Sequence, residues 1–191
     1  MKKIVFDIET KNFFDTVPSN DPADLDMSCV CIHDSETDKY MSFTQENLKD
    51  LWPILEKADL LIGFNSDHFD IPILNKYYSG DLTKIKSLDL LKEVKNSLGR
   101  RIKLDTIAEG TLGRHKTGHG ADAMIWWRAG EHQKVIDYCV EDVRITKEIY
   151  DYALKNKSLK YMDGKEIKEI KIDTSGWDKK EESSMTFTLP F

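Results

Sequence analysis

No apolar run in the sequence approaches the roughly 18 residues of a membrane-spanning helix, so we expect no membrane contact. The chain opens Met-Lys-Lys-Ile-Val-Phe-Asp, where an acidic residue at once interrupts the apolar run, which favours a folded strand over a secretory signal. Internal repeats are also absent. The three cysteines, Cys29, Cys31 and Cys139, form no zinc-site spacing with the histidines. We therefore expect reduced thiols in a cytoplasmic protein.

Positive charge is in the minority, with 28 basic residues against 34 acidic ones and a net charge of -6. A protein that binds duplex nucleic acid along an extended groove usually presents a basic face, so we do not expect such a groove. An enzyme acting at a strand end is not excluded, because carboxylates that hold metal ions would account for about four of the negative charges. The expected footprint is a few nucleotides.

Two carboxylates lie at the end of an apolar run near the start of the chain. Residues 2–10 read Lys-Lys-Ile-Val-Phe-Asp-Ile-Glu-Thr, which predicts a buried strand. Side chains alternate across a strand, so Asp7 and Glu9 point to the same face. Burying two carboxylates side by side is costly unless a hard cation such as Mg²⁺ or Mn²⁺ neutralises them. An acidic strand end exposed to water is the alternative.

A third carboxylate, Asp70, follows a strand-to-helix turn. Residues 60–62 are apolar and predict a strand, residues 63–68 are rich in turn formers, and Asp70 begins the next helix. An Asp in this position often only caps its helix. A parallel α/β sheet, however, places the ends of its strands beside each other, so Asp70 could join the carboxylates of the first strand.

A long helical pattern over residues 131–154 contains a fourth carboxylate, Asp142. It lies on a stripe that is otherwise apolar and should face the sheet. A carboxylate on a packing face needs a partner or a metal ion, and Tyr138 lies one turn before it. A Tyr–Asp hydrogen bond that docks the helix would explain these two residues alone. The stripe consists of Tyr138, Asp142, Ile145, Ile149 and Tyr152.

Together these motifs resemble those of DEDD-type 3′–5′ exonucleases of the ribonuclease H-like superfamily, such as the exonuclease domains of family-B DNA polymerases. The position of the tyrosine indicates the tyrosine subclass, DEDDy, because the histidine subclass would place a His where Asp137 stands. The resemblance spans about residues 1–154 and includes no polymerase portion. The matching residues are Asp7, Glu9, Asp70, Tyr138 and Asp142.

The resemblance implies two-metal hydrolysis of phosphodiester bonds. The metal ligands would be Asp7, Glu9, Asp70 and Asp142, holding two divalent ions, Mg²⁺ or Mn²⁺, that activate a water and stabilise the leaving oxygen. A tyrosine side chain has an unperturbed pKa near 10, so Tyr138 would orient the attacking water instead of deprotonating it. The predicted activity releases nucleoside 5′-monophosphates from the 3′ end of single-stranded DNA.

Four further residues are candidate substrate contacts, namely Thr10, Asn65, Phe69 and Lys116. Asn65 and Phe69 belong to the second motif, where Asn65 could instead fix the turn and Phe69 could pack inward. Lys116 lies in a basic loop over residues 112–120, and related exonucleases carry a Lys in a comparable place. A solvated loop is an equally good interpretation of this segment, although its glycines would let the backbone approach a phosphate.

The order of the elements predicts an α/β fold, a ribonuclease H-like mixed sheet flanked by helices. Strands at 27–33 and 39–44 should form an antiparallel meander with the first strand, and the strand near Leu60 should lie parallel. Asp105 is the expected cap of one helix. The predicted helices cover 45–57, a segment after Asp70, 87–98, 105–109, 121–129 and 131–154.

The C-terminal part departs from this pattern. An Asp-Gly pair at residues 163–164 separates two alternating segments and is a strong hairpin signal. We therefore divide the chain into an exonuclease domain over 1–156, a β-hairpin extension over 157–172 and a flexible tail over 173–191. The charged, serine-rich residues 173–184 should be loose.

The apolar tip Phe187–Phe191 loosely resembles clamp-binding peptides and the Pro-Phe tip of bacterial single-strand-binding proteins. This likeness implies a replication or repair partner. Folding back onto its own domain is the alternative that we favour.

Two other functions stay open. An RNA 3′-trimming exonuclease would use the same motifs, and no feature of the sequence clearly reads a 2′-hydroxyl. A non-catalytic accessory subunit that binds nucleic acid and docks through its tail could also keep the fold. The intact set of four carboxylates and a tyrosine argues against that second alternative, and DNA is favoured over RNA as the substrate.

Overall fold

A computed structural model of the chain describes residues 1–114 and 120–179. Lys116 and the tip Phe187–Phe191 lie outside these residues. No helix within the described residues combines the length and the apolar character needed to cross a membrane. The strands are β1 (Lys3–Thr10), β2 (Met27–Asp34), β3 (Lys39–Thr44), β4 (Leu60–Gly63), β5 (Ser87–Asp89), β6 (Ser158–Asp163) and β7 (Glu166–Lys171).

Five of these strands form one mixed sheet in the order β3-β2-β1-β4-β5. The first three pair antiparallel, whereas β4 pairs parallel with both β1 and β5. The predicted meander and the parallel fourth strand are therefore confirmed, and the topology is that of the ribonuclease H fold. Because the carboxyl ends of parallel strands meet at one edge, the residues that follow β1 and β4 come together there.

The helices flank this sheet. The predicted helix over 45–57 is too long, because residues 48–50 form a separate 3₁₀ turn and Pro53 lies at the start of a short helix over 52–55. The helices are α1 (Trp52–Leu55), α2 (Asp70–Asn75), α3 (Leu90–Leu98), α4 (Leu104–Leu112), α5 (Gly120–Arg128) and α6 (His132–Asn156).

The prediction of one helix over residues 87–98 was wrong at its start. Residues 87–89 form β5, and α3 begins only at Leu90. Asp89 marks the boundary, because its carboxylate accepts a 2.9 Å hydrogen bond from the amide of Leu91 and so caps the helix. The prediction that Asp105 caps a helix was also wrong, since α4 begins at Leu104 after an N-cap at Lys103.

The core has two layers, one on each face of the sheet. Ile4 and Ile8 of β1 point into one layer, whereas Val5 points into the other, where α6 packs. Side chains alternate along a strand, so Asp7 and Glu9 lie on the same face as Val5. The carboxylates of β1 therefore face α6.

The predicted hairpin is confirmed as β6 and β7, which pair antiparallel. It docks on α4, where the Thr111 hydroxyl donates a 2.6 Å hydrogen bond to the carbonyl of Lys160 and accepts a 2.9 Å hydrogen bond from its amide. The two elements touch at Gly110, where a Cβ would lie 2.5 Å from the Cα of Tyr161. Only glycine fits that contact.

The segment after the hairpin packs on the domain as far as it is described, although the sequence predicts a loose tail from residue 173. Trp177 is buried, and its ring stacks on that of Tyr150 with centroids 5.5 Å apart. Asp178 accepts a 2.6 Å hydrogen bond from the Tyr150 hydroxyl and pairs with Lys3 at 2.8 Å. Burial of one indole therefore offsets the polar, serine-rich composition that suggested disorder.

Candidate active site

Three of the four predicted metal ligands meet where β1 faces α6. Asp7 and Glu9 come from β1, and Asp142 comes from the buried stripe of α6. One carboxylate oxygen from each lies within 4.8 Å of the others. Glu9 and Asp142 are 8% and 5% exposed, so these carboxylates are held close together in a largely dehydrated place.

The donor set fits a hard divalent cation. Carboxylate oxygens are the ligands that Mg²⁺ and Mn²⁺ prefer. Without a cation, three carboxylates this close would repel one another, and burial would add to the cost. The cluster of Asp7, Glu9 and Asp142 could therefore hold metal ions.

Asp70, the fourth predicted ligand, is not a member of that three-carboxylate cluster. It lies in the first turn of α2 and is 3% exposed, and its Oδ1 accepts a 3.0 Å hydrogen bond from the amide of Ile8. The pKa of Asp70 is raised to about 8, chiefly by burial and also by the charges of Asp89 and Asp142, whereas the Ile8 bond acts in the opposite direction. Asp70 is thus hydrogen-bonded to β1 at the residue that lies between Asp7 and Glu9.

The turn before α2 is built to bring Asp70 to this position. Asn65 adopts a left-handed conformation with φ 67, which asparagine tolerates better than most residues. The backbone amide of Asn65 donates a 2.8 Å hydrogen bond to the carboxylate of Asp89 at the end of β5. Gly63 ends β4, and a Cβ there would collide with Ser66. Two neighbouring strand ends therefore fix the turn.

Tyr138 lies one turn before Asp142 on the same buried stripe and is 7% exposed. The ring of Trp126 from α5 packs edge-on against the Tyr138 ring, with centroids 5.8 Å apart. The tyrosine is therefore held between two helices beside the carboxylates.

A thiol cluster lies directly beside the carboxylates, and sequence reasoning did not foresee it. The three cysteine sulfurs lie within 4.8 Å of one another, and all three residues are buried. The thiol of Cys139 lies 3.3 Å from the carbonyl oxygen of Asp7 and 3.6 Å from its Oδ2. Burial raises the pKa of Cys139, so this group stays a thiol and can donate to Asp7.

A cleft of about 530 Å³ opens from the carboxylates toward α4. Asp7 and Asp142 line it together with Asn65, Arg101 and Lys103. The guanidinium of Arg101 donates a 2.7 Å hydrogen bond to the side-chain oxygen of Asn65. Sequence reasoning missed Arg101 and Lys103, because no motif distinguishes them from ordinary surface residues.

The other candidate substrate contacts fall into different settings. Thr10 is buried, and its hydroxyl donates a 3.1 Å hydrogen bond to the carbonyl of Asn12. Phe69 is half-buried, and its ring meets that of Phe14 edge-on at 6.3 Å. Asn65 alone of these lines the cleft, as described above.

Comparison with known proteins agrees with the topology. No curated protein sequence matches this chain. The solved structure of the family B DNA polymerase from the hyperthermophilic archaeon Pyrobaculum calidifontis is similar, with a TM-score of 0.63 and 17% sequence identity. The alignment covers 81% of this chain and 24% of the polymerase chain, so this chain spans about a quarter of that protein.

The family comparison covers most of the domain that the sequence predicts. The sequence profile of the RNase H superfamily matches residues 4–154, from the start of β1 almost to the end of α6. The match includes every element of the five-stranded sheet and all of the clustered carboxylates. The chain therefore belongs to the RNase H superfamily.

Proposed function

We propose that the protein is a metal-dependent 3′–5′ exonuclease that releases nucleoside 5′-monophosphates from single-stranded DNA. The observation that carries this proposal is the meeting of Asp7, Glu9 and Asp142, with one oxygen of each within 4.8 Å of the others. The motifs of the DEDDy exonucleases require these residues, and membership of the RNase H superfamily supports a nuclease.

In this proposal Asp7, Glu9, Asp70 and Asp142 hold two divalent ions, Mg²⁺ or Mn²⁺. When bound, such ions supply a nucleophilic water and stabilise the leaving oxygen. Asp70 joins the set because the DEDDy motif includes it and because its carboxylate contacts β1 at Ile8, the residue between Asp7 and Glu9. The bond from Ile8 holds Asp70 in place, and the Cys139 thiol supports the carboxylate of Asp7.

Tyr138 has a separate role in the proposal, which is to orient the attacking water through its hydroxyl. A tyrosine of ordinary pKa is too weak a base to deprotonate water at neutral pH. Its packing against Trp126 fixes the ring, so that the hydroxyl keeps one direction. A fixed direction matters because a hydroxyl that does not deprotonate the water can contribute only by positioning it.

The acidic charge and the small volume of the cleft favour a strand end over a duplex. The chain carries a net charge of -6, and the cleft beside the carboxylates has about 530 Å³, which is in the range of small-ligand pockets. A cleft of this volume is too small to enclose a DNA duplex, whereas one or two nucleotides of a single strand are of a suitable size. DNA is the favoured substrate because the similar solved structure is a DNA polymerase.

The proposal is tested by incubating 5′-labelled single-stranded DNA, and RNA of the same sequence, with Mg²⁺, Mn²⁺ or chelator. We expect a metal-dependent ladder that shortens from the 3′ end and is lost in Asp142→Asn. Asp137→Asn is the matched control, because Asp137 is an exposed carboxylate of α6 whose partner is Gln133.

Three results would contradict the proposal. Shortening from the 5′ end would reverse the polarity, and internal cuts would indicate an endonuclease. No cleavage of either nucleic acid, with bound metal demonstrated, would favour a non-catalytic binding subunit.

A further inference from the structure

The cleft beside the carboxylates has a basic wall that the proposed chemistry does not yet use. Gly99 ends α3 with φ 78, and the chain then runs through Arg101 and Lys103 to the start of α4. Both basic residues are exposed and line the same cleft as Asp7 and Asp142. The cleft therefore contains both the carboxylates that could hold cations and two basic side chains that can bind anions.

We infer that Arg101 binds the phosphate next to the scissile one, on the 5′ side, in a single-stranded polynucleotide. The inference rests on the proposed nuclease function and extends it to the path of the substrate. A strand that is shortened from its 3′ end continues on the 5′ side of the scissile phosphate. The next phosphate on that side is therefore the one that we expect to contact the wall that carries Arg101. Lys103 adds positive charge to that wall.

The present partner of Arg101 makes this role possible. Its guanidinium donates to the neutral side-chain oxygen of Asn65 at 2.7 Å. An ionised phosphate attracts a guanidinium more strongly than a neutral amide oxygen does, and a guanidinium can bind a phosphate through two donors. A phosphate entering the cleft therefore competes well for Arg101, while Asn65 keeps its backbone bond to Asp89.

The apolar part of the cleft fits the rest of a nucleotide. Phe64, Leu91 and Ile102 line the cleft together with the charged groups. Such surfaces accept a sugar or a base face without reading its hydrogen-bonding edge, and an aromatic ring offers stacking to any base. The expected recognition is thus of a strand end and its phosphates, with little sequence preference.

Arg100 provides a matched control one residue away. Its guanidinium lies over the ring of Tyr161, 5.5 Å from the centroid, and pairs with Asp163 at 3.7 Å. Arg100 therefore points toward the β6–β7 hairpin instead of the cleft. Its replacement removes the same charge from the protein but leaves the cleft wall intact.

The test measures equilibrium binding of a fluorescein-labelled oligothymidylate by anisotropy, with Ca²⁺ in place of Mg²⁺, over a series of salt concentrations. We expect Arg101→Gln to weaken binding about tenfold and to lower the salt slope by about 0.7, the value for one phosphate of a single strand. Arg101→Lys should keep the slope, because it keeps the charge. Arg100→Gln should bind like the wild type.

A second arm locates the phosphate. With Mg²⁺ or Mn²⁺, a neutral methylphosphonate at the linkage next to the scissile one should raise KM in the wild type. The same linkage should have no further effect in Arg101→Gln, because the two changes remove one contact. A methylphosphonate placed further along the strand should leave the difference between wild type and variant unchanged.

Several outcomes would overturn the inference. Wild-type binding and slope in Arg101→Gln would do so, as would equal losses in Arg100→Gln, or a wild type that binds no oligonucleotide. Unchanged thermal stability and metal binding in Arg101→Gln would exclude a purely structural effect through Asn65. Binding that depends on Arg101 without any cleavage would instead refute the proposed function, and it would leave a phosphate contact at Arg101 with no scissile bond to define its position.

Discussion

The amide of Ile8 donates a 3.0 Å hydrogen bond to Oδ1 of Asp70, so the residue between the two carboxylates of β1 is fixed to the first turn of α2. Asp70 is therefore a candidate metal ligand that also connects α2 to β1 through a hydrogen bond. Burial opposes its ionisation and raises its pKa to about 8, so a proton has to leave before this group can act as an anionic ligand.

This raised pKa predicts that the metal-free protein loses stability as pH rises. Between the ordinary pKa of 3.8 and about 8 the folded chain keeps a proton on Asp70 that the unfolded chain releases, so the free energy of unfolding falls across that window. Asp70→Asn removes this linkage and keeps an oxygen for Ile8. We expect the variant to melt above the wild type in chelator, by more at pH 8 than at pH 5.

The gain in stability expected for Asp70→Asn is measurable as a shift in Tm. A gain of about 1 kcal/mol corresponds to roughly 2–4 °C in Tm for a domain of this length. The same variant should lose the rise in Tm that Mn²⁺ gives to the wild type. Asp137→Asn should change neither quantity, and an Asp70→Asn curve parallel to the wild type across this pH range would refute the prediction.

The sequence predicts those elements of the fold that a pattern within one short segment determines. Asp7 and Glu9 lie in a clear strand, Asp142 lies on a clear helical stripe, and the hairpin has its Asp-Gly turn. The three-residue strand β5 escapes prediction because it is short and its last residue already caps α3. Its pairing with β4 is a contact distant in the chain that no local pattern encodes.

The site is predictable to a similar extent. Motifs identify the carboxylates, but they do not show that Asp70 stands apart from the three-membered cluster. The thiols of β2 meet Cys139 only because α6 crosses that strand, and Arg101 enters the cleft only because the chain turns at Gly99. In each case the fold places ordinary residues in a special position.

Gly110→Ala should destabilise the protein because α4 approaches the hairpin too closely there for a side chain. The added Cβ would lie 2.5 Å from the backbone of Tyr161, so the helix or the strand has to move. We expect a loss of about 1–3 kcal/mol in the free energy of unfolding, measured with urea. Gly120→Ala is the control, since a Cβ at Gly120 meets nothing within 4 Å. Equal stability of both variants would show that the hairpin docks loosely.

Asp178→Asn should weaken the packing of residues 173–179 at neutral pH but not in acid. Burial alone would raise the pKa of Asp178, but its bonds with Lys3 and Tyr150 outweigh burial and lower it. The ionised group therefore contributes stability above its ordinary pKa of 3.8, and this contribution disappears as pH falls through the lowered value.

Because Asp178 is about half exposed, the expected loss at pH 7 is only a few tenths to about 1 kcal/mol. Urea unfolding at pH 7 and at a series of pH values below 3.8 measures it, and the difference between the two proteins should shrink as the pH falls. Lys179→Ala is a nearby surface control. A deficit that persists unchanged in acid would assign the effect to packing instead of charge.

Tyr138→Phe separates water orientation from metal binding. The variant keeps the ring that packs against Trp126 and removes only the hydroxyl. Under the proposed function we expect kcat on single-stranded DNA to fall about tenfold to a hundredfold, within or just below the range for a positioned catalytic group. The rise in Tm with Mn²⁺ should stay as in the wild type, because the three clustered carboxylates are intact.

Asp142→Asn should differ from Tyr138→Phe in its metal response, since it should lose both the response to Mn²⁺ and the cleavage. The comparison of the two variants is therefore more informative than either activity alone. If Tyr138→Phe also loses its response to Mn²⁺, the hydroxyl supports Asp142 and not the water, and the helix-docking interpretation of this pair gains support. If it keeps full kcat, the tyrosine has no role in the chemistry, and the assignment to the tyrosine subclass fails with it.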